Sequence, residues 1–158
     1  YDDYAQQTGP LFSPDLFRRW FAPRLAEIFG AAKAGGLDVF FHSCGDVSPI
    51  LDDICAAGAQ IFNPFQPEVM EIAEIAARFR GRMAFYGGLS TQKTLPFGTP
   101  REVLAEAEAL EAVLRAAGGG IIAPAHAIQR DVPFENVLAL VDRLRASGGE
   151  MRVPVNRG

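Results

Sequence analysis

Residues 39–46 have the sequence Val39-Phe40-Phe41-His42-Ser43-Cys44-Gly45-Asp46. The apolar, β-favouring residues at its start predict a strand, and the glycine predicts the turn that ends it. Alternate side chains of a strand share one face, so we expect His42 and Cys44 to point the same way. A histidine and a cysteine on one face at a strand end supply half of the ligand set that a zinc site needs.

The order of strand and helix repeats along the rest of the chain. The sequence predicts strands over residues 37–43, 59–65, 83–86 and 121–125, and helices over residues 14–34, 46–57, 67–79, 100–117 and 133–146. Apolar strands that alternate with helices predict an α/β fold with a parallel sheet covered by helices. The first strand is not followed by Gly-x-Gly-x-x-Gly, and the chain has no Gly-x-x-x-x-Gly-Lys loop, which argues against a nucleotide-binding fold.

Several helix boundaries have local signals. Ser13-Pro14 predicts a helix start, and Pro23 predicts a kink or two abutting helices. Thr99-Pro100 followed by Glu102 has the pattern of a capping box. The series Glu102, Glu106, Glu108 and Glu111 is interpreted as a solvated helix face.

Polar residues recur directly after the predicted strands: His42 and Cys44, Asn63 and Gln66, Gln92, and His126. A (β/α)8 barrel supplies its active site in this way. About four strands cannot close a barrel, which needs roughly 250 residues. We therefore predict the C-terminal half of a (β/α)8 TIM barrel over residues 1–147, with a tail over residues 148–158. The lack of an initiator methionine agrees with a fragment of a longer protein.

The composition of the chain argues against several classes of protein. The 158 residues are 49% hydrophobic and 22% charged with a formal net charge of −4, which is ordinary for a globular protein and gives no reason to expect nucleic acid or an anionic membrane as partner. No apolar run reaches the roughly 18–20 residues of a membrane span, and the start does not resemble a signal peptide, so we expect a cytoplasmic protein. The two cysteines do not form a disulfide framework, and Cys55 is interpreted as packing.

A series of short motifs resembles the uroporphyrinogen decarboxylase superfamily, in order and at similar spacing over residues 1–147. The motifs are Tyr1-Asp2-Asp3-Tyr4 with Gln7-Thr8-Gly9, Ser13-Pro14, Phe41-His42-Ser43-Cys44-Gly45-Asp46, Asn63-Pro64-Phe65-Gln66-Pro67, Gly87-Gly88 with Thr91-Gln92, Pro96-Phe97-Gly98-Thr99-Pro100, Ala123-Pro124-Ala125-His126, Asp131-Val132-Pro133 and Glu135-Asn136. The superfamily is a (β/α)8 barrel with two main chemistries: decarboxylation of uroporphyrinogen without a cofactor, and zinc-dependent methyl transfer from a methylated corrinoid protein to a thiol.

The resemblance implies a set of site residues. The methyltransferase branch carries His-x-Cys after one strand, which His42 and Cys44 match, and a further cysteine after the last strand, where this chain has His126. These three residues are therefore expected to be catalytic and to bind zinc. We expect Asp2, Asp3 and Gln7 to contact substrate or a metal-bound group, and Asn63, Gln66 and Gln92 to form hydrogen bonds with a polar substrate.

The function implied by the resemblance is zinc-dependent transfer of a methyl group between a corrinoid protein and a thiol or similar small-molecule acceptor, as in demethylation of methoxylated compounds. Two alternatives stay open. One is a decarboxylase of the uroporphyrinogen type, and the other is a partial barrel that binds a small molecule without catalysis. The alternative to metal binding is that His42 is a hydrogen-bonded polar residue in the barrel mouth and that Cys44 packs in the interior.

Overall fold

The computed structural model describes residues 3–146. The strands within this range are β1 (Ala5–Gln6), β2 (Gly9–Pro10), β3 (Phe40–His42), β4 (Ile61–Asn63), β5 (Ala84–Leu89) and β6 (Gly120–Pro124). The helices are α1 (Pro14–Trp20), α2 (Ala22–Ala34), α3 (Leu51–Ala56), α4 (Ile72–Arg78), α5 (Thr94–Phe97), α6 (Pro100–Ala117) and α7 (Phe134–Ala146). The predicted tail over residues 148–158 lies outside the described residues.

Strands β3 to β6 form one parallel sheet in the order β3-β4-β5-β6. Each strand pairs with the next one along the chain, with a helix between them, which confirms the predicted α/β alternation. His42 pairs in register with Asn63 across β3 and β4. Parallel strands end at the same edge, so the polar residues that follow them are brought to one side of the sheet.

The two faces of the sheet differ in burial because side chains alternate along each strand. Phe41, Phe62 and Phe85 share the face that packs into the core, and they are 5%, 0% and 1% exposed. Phe40 lies on the opposite face and is 48% exposed. Burial of each core side chain stabilises the fold by roughly 1.5–3 kcal/mol. His42 and Asn63 are in step with Phe40, and so they lie on the open face.

The predicted helix starts at Ser13 and Thr99 are confirmed. The hydroxyl of Ser13 accepts a hydrogen bond from the backbone N–H of Leu16, and Thr99 forms a complete capping box with Glu102. The predicted break near Pro23 is also confirmed, because α1 and α2 abut at Phe21 with the proline in the first turn of α2.

Three helices differ from the prediction. Helix α3 begins at Leu51 rather than near Asp46, because the Asp46 carboxylate accepts the backbone N–H of Ser48 and forms a turn instead. The predicted helix from Pro67 is reduced to α4, and the loop after β5 contains the short helix α5.

Asn136 of α7 joins these C-terminal elements. Its side chain is 0% exposed, and its amide donates to the backbone carbonyls of Leu95 and Gly98.

None of the helices within residues 3–146 combines the length and the apolar character of a membrane-spanning segment.

Candidate metal centre

His42 and Cys44 lie at the carboxyl end of β3. His42 is the last residue of the strand, and Sγ of Cys44 lies 3.6 Å from Nε2 of His42. The two side chains therefore approach each other as the strand pattern predicted. Gly45 follows with φ +83°, which turns the chain away from the sheet.

Asp3 joins this pair from the beginning of the chain. The backbone N–H of Cys44 donates to Oδ1 of Asp3 at 2.7 Å, and the same oxygen lies 3.8 Å from Nε2 of His42. Two further bonds hold this segment against the end of β3: the backbone N–H of Tyr4 donates to the Ser43 hydroxyl at 3.0 Å, and that of Asp46 donates to the Gln6 carbonyl at 2.9 Å.

One ligand atom each from Asp3, His42 and Cys44 lies within 4.8 Å of the other two. No other group of three such side chains within residues 3–146 meets this condition. In a tetrahedral site with ligand bonds of 2.0–2.3 Å, neighbouring ligand atoms are about 3.3–3.8 Å apart. The separations of 3.6 Å from Nε2 to Sγ and 3.8 Å from Nε2 to Oδ1 match this geometry.

The electrostatics of the cluster favour a cation. Burial raises the pKa of the Cys44 thiol, and the negative charge of Asp3 raises it further. A thiolate beside a carboxylate is unfavourable without a positive charge, and a divalent metal supplies that charge and stabilises the thiolate. A nitrogen, a sulfur and an oxygen donor together fit zinc, and three protein ligands leave a fourth position open.

The structure does not bring His126 into this group. His126 follows β6 and is exposed, and it is not among the three residues whose ligand atoms meet. In the sheet order, β6 is three inter-strand spacings of ~4.8 Å from β3. The role of His126 as a ligand stays a prediction.

Three of the predicted substrate-binding amides lie around the cluster. Asn63 contacts His42, with Oδ1 lying 2.5 Å from Nδ1 of the ring. Gln66 is 6% exposed, accepts the backbone N–H of Gly45 and contacts the side chain of Gln7 at 3.5 Å. Gln66 therefore supports the turn after Cys44, and the predicted contacts of these residues with a substrate stay predictions.

The other two residues predicted to bind substrate have no described contact with the cluster. Gln92 is exposed in the loop after β5, where its backbone N–H donates to Glu68. Asp2 lies outside the described residues. For both, a role in substrate binding stays a prediction.

A second polar cluster was not predicted. Ser90, which follows β5 and is 4% exposed, donates its hydroxyl to Glu68 at 2.6 Å and its backbone N–H to Glu106 at 2.9 Å. The interpretation of Glu106 as part of a solvated helix face was therefore wrong. Ser90 directly follows β5, as Ser43 directly follows β3, and that position was the available signal.

The chain is similar to known proteins in both sequence and fold. The family model for Uroporphyrinogen decarboxylase (URO-D) matches residues 2–147. A solved structure of a methyltransferase from Methanosarcina mazei is similar to this chain, with a TM-score of 0.70 and 27% sequence identity. The match covers 87% of this chain and 39% of the methyltransferase, so the chain spans well under half of that protein. No significant match was found among curated proteins.

The similarity to the methyltransferase supports the partial TIM-barrel fold predicted from the order of strands and helices. The family match covers nearly the whole chain, including β3 and the three residues of the cluster. The chain belongs to the uroporphyrinogen decarboxylase (URO-D) family.

Proposed function

We propose that this protein is a zinc-dependent methyltransferase that moves a methyl group between a corrinoid protein and a thiol or similar acceptor. The observation that carries the proposal is the convergence of Asp3, His42 and Cys44 at the end of β3. The family and the methyltransferase-like fold support an enzyme of the methyltransferase kind. The metal, the corrinoid partner, the acceptor and the cytoplasmic location are part of the proposal.

Zinc would be held by Nε2 of His42, Sγ of Cys44 and a carboxylate oxygen of Asp3. Zinc held by these residues would supply a positive charge that stabilises the thiolate form of an acceptor thiol. The transfer would break the bond between the cobalt of the partner's methylated corrinoid and the methyl carbon, and the electron pair of that bond would stay on cobalt. A bond forms between sulfur and carbon, and the proton of the thiol goes to solvent.

The chain's own residues would orient the acceptor. Asp3 and His42 have side chains that are 46% and 28% exposed, so the cluster is open to a small molecule from one side. Gln7 and Gln92 are exposed near the same edge of the sheet, and we propose that their amides contact the acceptor. The corrinoid protein would approach this edge, because the methyl group must come within bonding distance of the thiol.

Metal analysis of the full-length protein tests the first half of the proposal. We expect about one zinc per chain, lost in Cys44→Ala and retained in Cys55→Ala. Cys55 is a matched control because it is also half-buried but lies in α3, outside the cluster. Wild-type protein that contains no zinc and turns over substrate would contradict the proposal.

A second experiment tests whether Asp3 or His126 is the third metal ligand. Zinc affinity is measured by competition with a chelator for Asp3→Ala and for His126→Ala. The geometry predicts a large loss for Asp3→Ala and little change for His126→Ala. The opposite result would place His126 in the site and exclude Asp3.

Measurement of substrate turnover tests the second half of the proposal, which is the transfer of a methyl group. Incubation with a methylated corrinoid protein and a thiol is expected to give the methyl thioether, with activity lost in Cys44→Ala. Decarboxylation of uroporphyrinogen, unaffected by Cys44→Ala, would instead establish the decarboxylase alternative. Ligand binding without turnover of either substrate would favour a non-catalytic barrel.

A further inference from the structure

The side chain of Asn63 connects three neighbouring strands at the candidate metal centre. Its Oδ1 lies 2.5 Å from Nδ1 of His42 on β3, and its Nδ2 donates to the backbone carbonyl of Tyr86 on β5 at 3.3 Å. Both ends of the amide are therefore engaged within the protein. A residue expected from the sequence to bind substrate is held here by its neighbours.

These contacts determine which ring nitrogen of His42 carries a proton. The carbonyl of Tyr86 can only accept a hydrogen bond, so the NH2 group of Asn63 must face it. The oxygen of Asn63 then faces His42, and an oxygen accepts, so Nδ1 of His42 must be the donor. In the neutral ring, the proton sits on Nδ1 and the lone pair sits on Nε2.

Nε2 is the nitrogen that faces the cluster. It lies 3.6 Å from Sγ of Cys44 and 3.8 Å from Oδ1 of Asp3, whereas Nδ1 is occupied by Asn63. A metal ligand needs the lone pair. Groups that donate to or accept from the second ring nitrogen fix the tautomer and the ring orientation, and their loss typically weakens metal binding by roughly 10–100-fold.

We propose that Asn63, oriented by the Tyr86 carbonyl, is a positioning residue that fixes His42 as the Nδ1–H tautomer and presents Nε2 to the metal. The statement about the tautomer stands on the hydrogen bonds alone, and the statement about the metal rests on the proposed function. Asn63 thereby couples the register of β3, β4 and β5 to the geometry of the site.

The tautomer is tested directly by long-range ¹H–¹⁵N NMR of the histidine rings in the metal-free, full-length protein. The His42 signals are assigned by their loss in His42→Gln. We expect Nδ1 to be protonated and Nε2 to have the chemical shift of an unprotonated nitrogen. A protonated Nε2 with a bare Nδ1 would overturn the proposal.

Zinc affinity of substituted proteins tests the positioning role. Asn63→Leu has nearly the same shape and removes both hydrogen bonds, so its zinc affinity is expected to fall by roughly 10–100-fold. Asn63→Asp keeps an acceptor for Nδ1 and is expected to restore most of the affinity. Unchanged affinity in Asn63→Leu would overturn the positioning role.

Gln60 provides a matched control at the opposite end of the same two strands. Its Oε1 accepts the backbone N–H of Val39, and its Nε2 donates to Asp38 at 3.2 Å. Gln60→Leu therefore removes a similar pair of bonds between the segments of β3 and β4 but leaves His42 untouched. We expect it to lower stability and leave zinc affinity unchanged.

The two levels of the proposal can fail separately. If wild-type protein binds no zinc but shows the Nδ1–H tautomer, the metal function fails and the role of Asn63 in orienting His42 stands. If zinc binds and Asn63→Leu binds it as tightly as wild type, the proposed function stands and the positioning role is wrong.

Discussion

Replacement of Gly45 by alanine tests how the beginning of the chain is held at the candidate metal centre. Gly45 has φ +83°, and an added Cβ would lie 2.6 Å from the carbonyl oxygen of Gln6 and 2.7 Å from the carbonyl carbon of Ala5. Cβ atoms in proteins essentially never approach other atoms closer than 3.0 Å, so the backbone of residues 5 and 6 must retreat. Asp3 is close to that backbone along the chain and is expected to move with it.

The loss of folding free energy expected for Gly45→Ala has two parts. A left-handed conformation costs a residue with a Cβ about 1–2 kcal/mol. An extra methyl group forced into a packed site costs about 1–3 kcal/mol more. We therefore expect Gly45→Ala to lower the free energy of unfolding by about 2–5 kcal/mol, a large share of the 5–15 kcal/mol typical of a domain.

Gly36→Ala is the matched control. Gly36 has φ +77° and an added Cβ would meet nothing within 4 Å, so only the conformational cost applies. Both substitutions also reduce the entropy of the unfolded chain by a similar amount, and that effect cancels in the comparison. The difference between the two variants therefore isolates the close approach of residues 5 and 6 to Gly45.

Urea unfolding of the two variants gives the stability difference, and competition with a chelator gives zinc affinity. Gly45→Ala is expected to lose more stability than Gly36→Ala and, under the proposed function, to bind zinc more weakly because Asp3 is displaced from Cys44. Equal losses of stability in the two variants would refute the reasoning about the close contact. Unchanged zinc affinity in a destabilised Gly45→Ala would show that the metal does not depend on Asp3.

Four further substitutions, one of them a control, test the packing and the capping, each by chemical denaturation. Asn136→Ala leaves the buried carbonyl of Leu95 and the half-buried carbonyl of Gly98 without their donor, and a loss of about 1–3 kcal/mol is expected for the Leu95 carbonyl. Phe85→Ala should cost about 3–5 kcal/mol, whereas Phe97→Ala, at an 80% exposed position, should cost almost nothing. Thr99→Ala should cost about 0.5–2 kcal/mol. Hydrogen bonds from Thr99 lower the pKa of Glu102, so the cap contributes fully at neutral pH, and the penalty of Thr99→Ala should shrink as the pH falls through the folded-state pKa of Glu102.

The parallel sheet could be predicted from local sequence because each strand and the helix that follows it are formed by consecutive residues. The strand around Phe41 alternates between buried and exposed side chains, and β4 repeats this pattern with Phe62. Helix starts at Ser13 and Thr99 depend on side chains within three residues. Such features depend little on the rest of the chain, so their boundaries are well predicted.

Strand ends were less predictable because they depend on distant backbone. The sequence predicts that β5 stops before Gly87-Gly88, but the strand continues to Leu89. A Cβ on Gly87 would lie 1.8 Å from the carbonyl oxygen of Pro64, so the glycine permits a neighbouring segment to approach the strand. A glycine inside a strand can mark such an approach, and in a single sequence it resembles a turn.

The candidate metal centre could be predicted only in part, because one of its three residues is distant from the other two in the sequence. His42 and Cys44 share a strand end, so their proximity follows from the two-residue period of a strand. Asp3 reaches them across 41 residues of chain, through a hydrogen bond to the backbone of Cys44. The family resemblance implied that Asp3 contacts substrate or a metal-bound group, but the distance that makes it a ligand candidate exists only in the folded chain.

The two candidates for the third ligand depend on different parts of the fold. Asp3 is held by hydrogen bonds between its own segment and the residues that follow β3, so its position is set locally. His126 follows β6, and its distance from β3 depends on how strongly the sheet curves across the two strands between them. In a site built from Asp3, His42 and Cys44, all three ligands therefore come from β3, the residues that follow it and the segment hydrogen-bonded to them. A site that used His126 would instead require the curvature of a closed barrel, so the choice between Asp3 and His126 also determines whether metal binding depends on barrel closure.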